Sequence, residues 1–287
     1  MLKDVLIVLY YNKVNLTKAC IQSILEANYP KSQIYCFDNG SKPGVFNQIK
    51  ETFPGCHHQR CVDNVGFSGG FNRALRWAFE EGKSSVLFCT NDTLIYPGAL
   101  EACLHTAKKT DAGMVAPLIT YSYSQDAIDS IGGWFDANNC LLNHYHQRGL
   151  SPILDPEKDY IPGTALWIHQ DCFTELGGTD ESFFMYWEDV DISFRAHQKK
   201  LKLARSYESK ISHGVGRTVH KKPLYTTYYF QRNRIRFCRR YLKGEALKNA
   251  LKLLKRELLK MEKKWREKKD QKRLNYLVRI KDELEGI

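Results

Sequence analysis

No run of eighteen or more apolar residues occurs in this 287-residue chain, so no transmembrane helix is expected from it. The first eleven residues lack the basic region, apolar stretch and small-residue cleavage site of a secretory signal, and the chain is expected to stay where it is made. No CxxC pair exists among the nine scattered cysteines, and their number is odd, which argues against a zinc ribbon and against a disulfide framework. Cys36 and Cys89 sit inside apolar runs, where a reduced thiol packs as a small hydrophobe, so a reducing cytosol is the expected setting. There is no GxGxxG fingerprint, no P-loop lysine, no internal repeat and no Pro/Ser-rich linker.

What is present is a folded protein's share of apolar residues, 43%, in a length that holds one sizeable core with room for a small appendage. Charge is divided unevenly: residues 1–216 carry 20 basic and 24 acidic side chains, whereas residues 217–281 carry 23 and 5. The larger part is therefore mildly acidic, and the basic character belongs to a tail suited to an anionic partner.

Residues 5–10 read as a buried parallel strand; a helical pattern follows over about 16–27 and stops before Pro30, and residues 33–37 supply a second strand. The alternation continues with a short strand near 59–62, a Gly-rich turn at 66–70, a helix over 71–81, a strand at 85–89 and a helix from about 97 to 110. This order predicts an α/β fold with a doubly wound sheet, in which ligands collect at the carboxyl ends of the strands. Residues 114–159 are less regular and read as sheet extensions with an acceptor-facing loop; a further strand is expected over 202–207. Leu247, Leu251, Leu254, Leu258, Met261 and Trp265 recur at alternating spacings of four and three, which predicts a long amphipathic helix.

Three polar clusters fall at strand ends. Asp38-Asn39-Gly40-Ser41 offers a carboxylate and an amide to a nucleobase edge or a ribose hydroxyl, and reads equally as an Asx turn. Asn64-Val65-Gly66-Phe67-Ser68-Gly69-Gly70-Phe71-Asn72 opens a helix with three glycines, which can bring backbone N–H groups to a phosphate or serve tight packing alone. Asn91-Asp92 sets one carboxylate at the sheet edge, able to hold a Mg²⁺ or Mn²⁺ already bound by a diphosphate, or simply to cap a helix.

The densest chemistry is Asp180, Glu181, Glu188, Asp189 and Asp191, five carboxylates within twelve residues and interleaved with large aromatics. Such crowding raises the pKa of at least one of them and suits a general base. With a helix beginning near Trp187, Asp191 and Arg195 pair four apart and leave Glu188 and Asp189 near its N-terminus to face a ligand. A charged first turn that only complements the helix dipole fits the same residues. His213, in a Gly-rich turn, is a candidate metal ligand or a local hydrogen-bonding residue.

Taken together and in this order, residues 3–243 resemble the GT-A glycosyltransferases of family 2, in their rhamnosyltransferase-like branch. The resemblance rests on Tyr11-Asn12, Asp38 to Ser41, the Asn-x-Gly-Phe-x-x-Gly-x-Asn element from Asn64 to Asn72, Glu188-Asp189 and His213, with Thr90-Asn91-Asp92 standing where the family has a DxD metal motif. It implies a Rossmann-like mixed sheet with flanking helices, plus a C-terminal amphipathic helical extension. It also implies a metal-dependent, inverting enzyme using Mn²⁺ or Mg²⁺.

By that resemblance the nucleotide diphosphate sugar is bound by Tyr11, Asn12, Asp38, Asn39, Asn64, Gly66, Phe67, Gly70, Asn72, Asn91 and Asp92. Asp92 and His213 hold the metal, and Asp189 is the catalytic base with Glu188 beside it. Gly163, Thr164, Gly177, Gly178, Trp187 and Arg232 line the donor and acceptor pocket; Arg232 and Arg234 either approach an anionic group or lie on a solvated helix face. The branch favours dTDP-rhamnose as donor, with another UDP- or GDP-sugar as the alternative, and a glycan or polyprenyl-linked saccharide as acceptor.

The expected organisation is a catalytic domain over 1–243, its nucleotide-sugar half ending near 112, followed by a basic helical tail over 244–287. Residues 244–281 suit an anionic membrane surface, a contact in a homo-oligomer, or packing on the chain itself. The expected location is the cytoplasm, peripheral on the inner face of the membrane. A sugar-phosphate nucleotidyltransferase competes on the same sheet and metal, but the Gly-rich, Arg/Lys-containing N-terminal loop that activates a triphosphate is missing. A nucleic-acid-binding protein competes on overall charge, against the acidity of residues 1–216.

Overall fold

The computed structural model describes residues 3–214 and 224–285. The chain divides into two compact units, one of Met1–Trp134, His144–Phe184 and Glu188–Arg217, the other of Phe135–Asn143, Met185–Trp187 and Thr218–Ile287.

The first unit begins with β1 (Asp4–Tyr10), α1 (Val14–Glu26), β2 (Ile34–Asp38), α2 (Val45–Thr52), β3 (His57–Arg60), α3 (Gly66–Glu80), β4 (Ser85–Thr90), β5 (Thr93–Ile95) and α4 (Ala99–Thr110). It continues with β6 (Met114–Tyr121), β7 (Ser124–Ser130), the hairpin β8 (Gly133–Asp136) and β9 (Leu141–His144), whose tip belongs to the second unit, then β10 (Asp159–Tyr160), β11 (Ala165–His169), α5 (Gln170–Leu176), α6 (Glu188–Gln198) and β12 (Leu203–His213). The main sheet runs β3-β2-β1-β4-β11-β6-β12-β5, with β7 added to β6; a small sheet is β10-β8-β9.

β1 is apolar from Val5 to Tyr10 because both of its faces are covered there. Leu6, Val8 and Tyr10 pack with Ile21, Ile24, Ile49 and Leu100 on the side of α1, α2 and α4. Val5, Ile7 and Leu9 pack with Phe71, Leu75, Phe173 and Ile192 on the side of α3, α5 and α6.

Register brings the polar clusters to one edge. β1 runs parallel to both β2 and β4, Tyr10 facing Asp38 and Leu9 facing Thr90. β11 is antiparallel to β4, so its first residue, Ala165, lies opposite Cys89 and carries Gly163 and Thr164 to the same edge. β12 runs parallel to β6 and antiparallel to β5, and His213 ends up beside both Tyr121 and Thr93.

Two expectations are corrected here. β12 does not stop near residue 207 but continues to His213, because β6 and β5 supply backbone partners on its two sides, so His213 is a strand residue. α3 starts at Gly66, which puts the three glycines inside the helix's first turns instead of in a preceding loop.

The second unit holds α7 (Leu224–Tyr241), α8 (Gly244–Glu267) and α9 (Gln271–Glu285), which pack on one another. It therefore takes in a helix that lies before residue 244. The apolar stripe of α8 is turned inward: Leu254, Leu258 and Trp265 are buried, as are Leu277 and Ile280 of α9. Packing within the chain, one of three uses expected for that stripe, accounts for it. No helix among the described residues is long and apolar enough to cross a membrane.

Arg234 of α7 is buried, with its guanidinium bound to Glu257 at 2.6 Å and to the carbonyls of Cys140 and Asn139 at 2.6 and 2.9 Å. It is a structural cation of the helical unit, which corrects both of its expected readings, approach to an anionic group and a place on a solvated helix face.

Candidate active site

At the end of β2, Asp38 is wholly buried; its Oδ1 accepts from the Ser41 backbone N–H at 2.9 Å, while Oδ2 lies 3.8 Å from Arg60 Nε and has no hydrogen-bond partner among the described residues. The nearby Tyr10 hydroxyl is likewise buried without a hydrogen-bond partner among the described residues. Burial, reinforced by the Asp38 charge, pushes that phenol far above its ordinary range. Asn12, in a left-handed conformation (φ 55°), donates its backbone N–H to Ser41 Oγ at 2.7 Å and accepts from Lys42 N at 3.0 Å. Tyr11 beside it is exposed. A buried carboxylate oxygen and a buried hydroxyl, both unbonded, give this strand end unused capacity to recognise a polar ligand edge.

The glycine element packs against the protein itself. Asn39 Nδ2 donates to the Gly66 carbonyl at 2.8 Å and to Asn64 Oδ1 at 3.3 Å, and Asn64 Oδ1 also accepts from Gly66 N. Gly66 has φ +77°, and a Cβ there would stand 2.4 Å from the Phe184 carbonyl oxygen, so only glycine fits. Gly70 lies against the Asn39 amide. Asn72 is buried, its amide spent on the backbone and hydroxyl of Thr179 and on Glu181. Gly177 closes α5 with φ +70°, and a Cβ on Gly178 would stand 2.3 Å from Asn72 Oδ1. Asn72, Gly177 and Gly178 thus form a clamp between α3 and α5. Arg195 extends the clamp to α6 by binding Asp191 at 2.8 Å and the carbonyls of Leu176 and Gly178.

At the end of β4, Asn91 is turned toward α1, donating to Thr17 Oγ1 at 2.9 Å. Asp92 faces the other way. Its Oδ1 accepts from Thr90 Oγ1 at 2.7 Å, and its Oδ2 lies 3.4 Å from His213 Nε2. Burial alone would raise the Asp92 carboxyl, but its hydrogen bonds with His213 and Thr90 outweigh that and hold it below the usual range. His213 Nδ1 meets Asp129 Oδ2 at 3.0 Å.

Thr90 N donates to the Thr164 carbonyl at 3.0 Å, and the preceding residue, Gly163, donates its N–H to Asp189 Oδ2 at 2.8 Å. The Phe67 ring, stacked on Phe71 and edge-on to Phe88, abuts Gly163. A second N–H, from Val190, binds Asp189 Oδ1 at 2.9 Å, so the half-buried carboxylate is held at both oxygens on the first turn of α6. Burial pushes Asp189 above the usual carboxyl range against these N–H groups, which favour its charged form. Glu188 is buried, and its Oε2 has no hydrogen-bond partner among the described residues; burial, then the Asp189 and Asp191 charges, hold it well above that range.

Two predicted pocket residues belong to the second unit. Trp187 is buried among Phe135, Phe230 and Phe237, with φ +75°. Arg232 lies over the rings of Tyr228 and Tyr229 and binds Asn233 Oδ1 at 2.9 Å.

A model described as Glycosyl transferase family 2 matches residues 5–175. The chain belongs to glycosyl transferase family 2. Over 180 residues it is 27% identical to the N-acetylglucosaminyl-diphospho-decaprenol L-rhamnosyltransferase of Mycobacterium tuberculosis, covering 55% of this chain and 58% of that one. Over 178 residues it is 24% identical to the Low-salt glycan biosynthesis hexosyltransferase Agl10 of Haloferax volcanii, covering 60% and 54%. The chain thus spans a little over half the length of these relatives. The solved mannosyltransferase PcManGT from Pyrobaculum calidifontis, in complex with GDP-Man and Mn²⁺, superposes with a TM-score of 0.59 at 13% identity, covering 98% of this chain and 87% of that one. The mixed sheet with flanking helices is the GT-A fold.

For a family 2 member the donor set at Asp92 and His213 bears on a metal. No group of three or more His, Cys, Asp or Glu positioned for a metal exists among the described residues. One carboxylate and one imidazole fit an ion that takes its remaining oxygens from a diphosphate and water. Asp129 carried no signal in the sequence, since nothing in its spacing ties it to a histidine 84 residues away.

Proposed function

We propose that this chain transfers a sugar from a nucleotide diphosphate donor to a hydroxyl of a glycan or lipid-linked saccharide, with inversion at the anomeric carbon. The observation that carries the reading is the run of contacts Asp92, Thr90, Thr164, Gly163, Asp189, which links the carboxylate at the sheet's carboxyl edge to a fixed base on the first turn of α6. Asp189 takes the proton of the acceptor hydroxyl as its oxygen bonds to the anomeric carbon. The bond to the diphosphate breaks on the opposite face, and the electron pair leaves with the phosphate oxygen. Asp92 and His213 would hold Mn²⁺ or Mg²⁺, which supplies charge neutralisation to the diphosphate. Burial and the neighbouring charges of Asp189 and Asp191 disfavour a charge on Glu188, which favours carrying the negative charge of the pair on Asp189.

The unbonded Asp38 oxygen and Tyr10 hydroxyl are the base-recognition end. Similarity to the mycobacterial L-rhamnosyltransferase makes dTDP-rhamnose the first donor to try and a polyprenyl diphosphate-linked saccharide the first acceptor. A thermal-shift panel of nucleotide sugars with Mn²⁺ tests the donor: at least one should raise the melting temperature by about 4 °C or more at a hundred times its Kd. Indifference to every nucleotide diphosphate would defeat the proposal.

The tail's partner in this reading is an anionic membrane surface, met by the outer face of α8. Lys248, Lys252, Lys255, Arg256, Lys263 and Arg266 recur there at helical spacing around Leu259, which is 50% exposed. Each lysine or arginine near such a surface contributes about 1 kcal/mol. The full chain should float with vesicles containing phosphatidylglycerol and not with phosphatidylcholine alone, and 0.5 M salt should release it, because roughly a 4 Å screening length remains. Equal recovery with both vesicles, or none with either, counts against it.

A further inference from the structure

β7 does not run in regular register with β6. Ile119 faces Ser130 and Thr120 faces Ile128, so adjacent residues of β6 meet residues two apart on β7, and Asp129 is the extra one. A bulge of this kind bends the strand and turns a side chain out of the ordinary alternation. At this level β6 has β7 on one edge and β12 on the other, with Thr120 beside Ser212 and Tyr121 beside His213. Asp129 reaches across β6, and its Oδ2 comes within 3.0 Å of His213 Nδ1. On the far side of the ring, Nε2 is 3.4 Å from Asp92 Oδ2. The contact is shielded from water, the two side chains being 12% and 13% exposed.

A carboxylate at hydrogen-bond distance accepts a proton from the imidazole nitrogen it meets; with Nδ1 as that donor, Nε2 is the nitrogen whose lone pair an ion on the Asp92 side would take, in place of the proton it otherwise shares with Asp92. Partners of this sort orient a ligating histidine and raise its basicity. We propose that Asp129 is a positioning residue for a metal-ligating His213: it fixes Nδ1 as the donor and presents Nε2 on the Asp92 side. This rests on the metal reading of Asp92 and His213. The bulge is then a device for the site, since regular alternation would not deliver this side chain across β6.

The test is Mn²⁺ affinity of the full chain in the presence of dTDP, read by the electron paramagnetic resonance of free Mn²⁺, with metal-free dTDP affinity as the control. Asp129→Ala should bind Mn²⁺ about 10- to 100-fold more weakly, and Asp129→Asn, whose amide oxygen still accepts from Nδ1, should recover most of that loss and stay roughly fivefold below the parent. The control should not move in either variant. If Asp129→Ala does not fold, Asp129→Asn against the parent decides. Variants that melt earlier yet bind Mn²⁺ as tightly as the parent would show a purely structural contact and overturn the proposal. A parent that binds Mn²⁺ no better than His213→Ala removes His213 from the metal altogether, an outcome distinct from failure at Asp129 alone.

Discussion

Asp189→Asn is expected to lower turnover by about a thousandfold while leaving nucleotide-sugar affinity within roughly threefold of the parent. The side chain keeps its size, and an amide oxygen can still accept from Gly163 N or Val190 N, so the first turn of α6 should stand. What disappears is the capacity to take a proton from the acceptor. The pH dependence follows from the same environment. Burial raises this carboxyl, and a base works only when deprotonated, so transfer by the parent should rise with pH through a limb displaced above the ordinary carboxylate range. Single-turnover rates across pH, with donor binding measured alongside, check both halves. An Asn variant with parental turnover would remove Asp189 from the chemistry.

Asp92→Asn should weaken Mn²⁺-supported binding of nucleoside diphosphate by roughly a hundredfold, about 3 kcal/mol, and leave metal-free binding unchanged. The carboxylate is kept ionised through its contacts with His213 and Thr90, which gives a divalent ion one full charge at the sheet edge. Asn91 does not replace it, because its amide is turned to Thr17. Calorimetric titrations with and without Mn²⁺ measure the difference. Equal Mn²⁺ enhancement in parent and variant would place the ion elsewhere.

The two predictions depend on features that the sequence exposed unequally. β1 and β4 were legible because a strand covered on both faces must be apolar at nearly every position, and the polar residues where such runs end then mark the sheet's carboxyl edge. Asp38 and Asp92 could be picked out on that ground, and the Glu188-Asp189 pair by its crowding with Asp180, Glu181 and Asp191. The extent of β12 was not legible, since Tyr207, Glu208 and Lys210 look like the end of a strand until β6 and β5 are seen to pair with it.

Asp129 was invisible for a related reason: a bulge is a property of register between two strands, and β7 alone does not show it. The glycines of α3 were ambiguous between phosphate and packing, and Phe184 and Asn39 fill the space beside Gly66 and Gly70. In the tail the stripe was plain but its occupant was not, because leucines spaced for lipid are spaced equally well for α7 and α9.

The most direct test of inverting transfer is the anomeric configuration of the product, followed by NMR from the first turnovers with the donor that stabilises the chain best. Release of one nucleoside diphosphate per glycoside formed, with the configuration opposite to that of the donor, is the predicted result. A product that retains the donor's configuration would contradict a single displacement driven by Asp189.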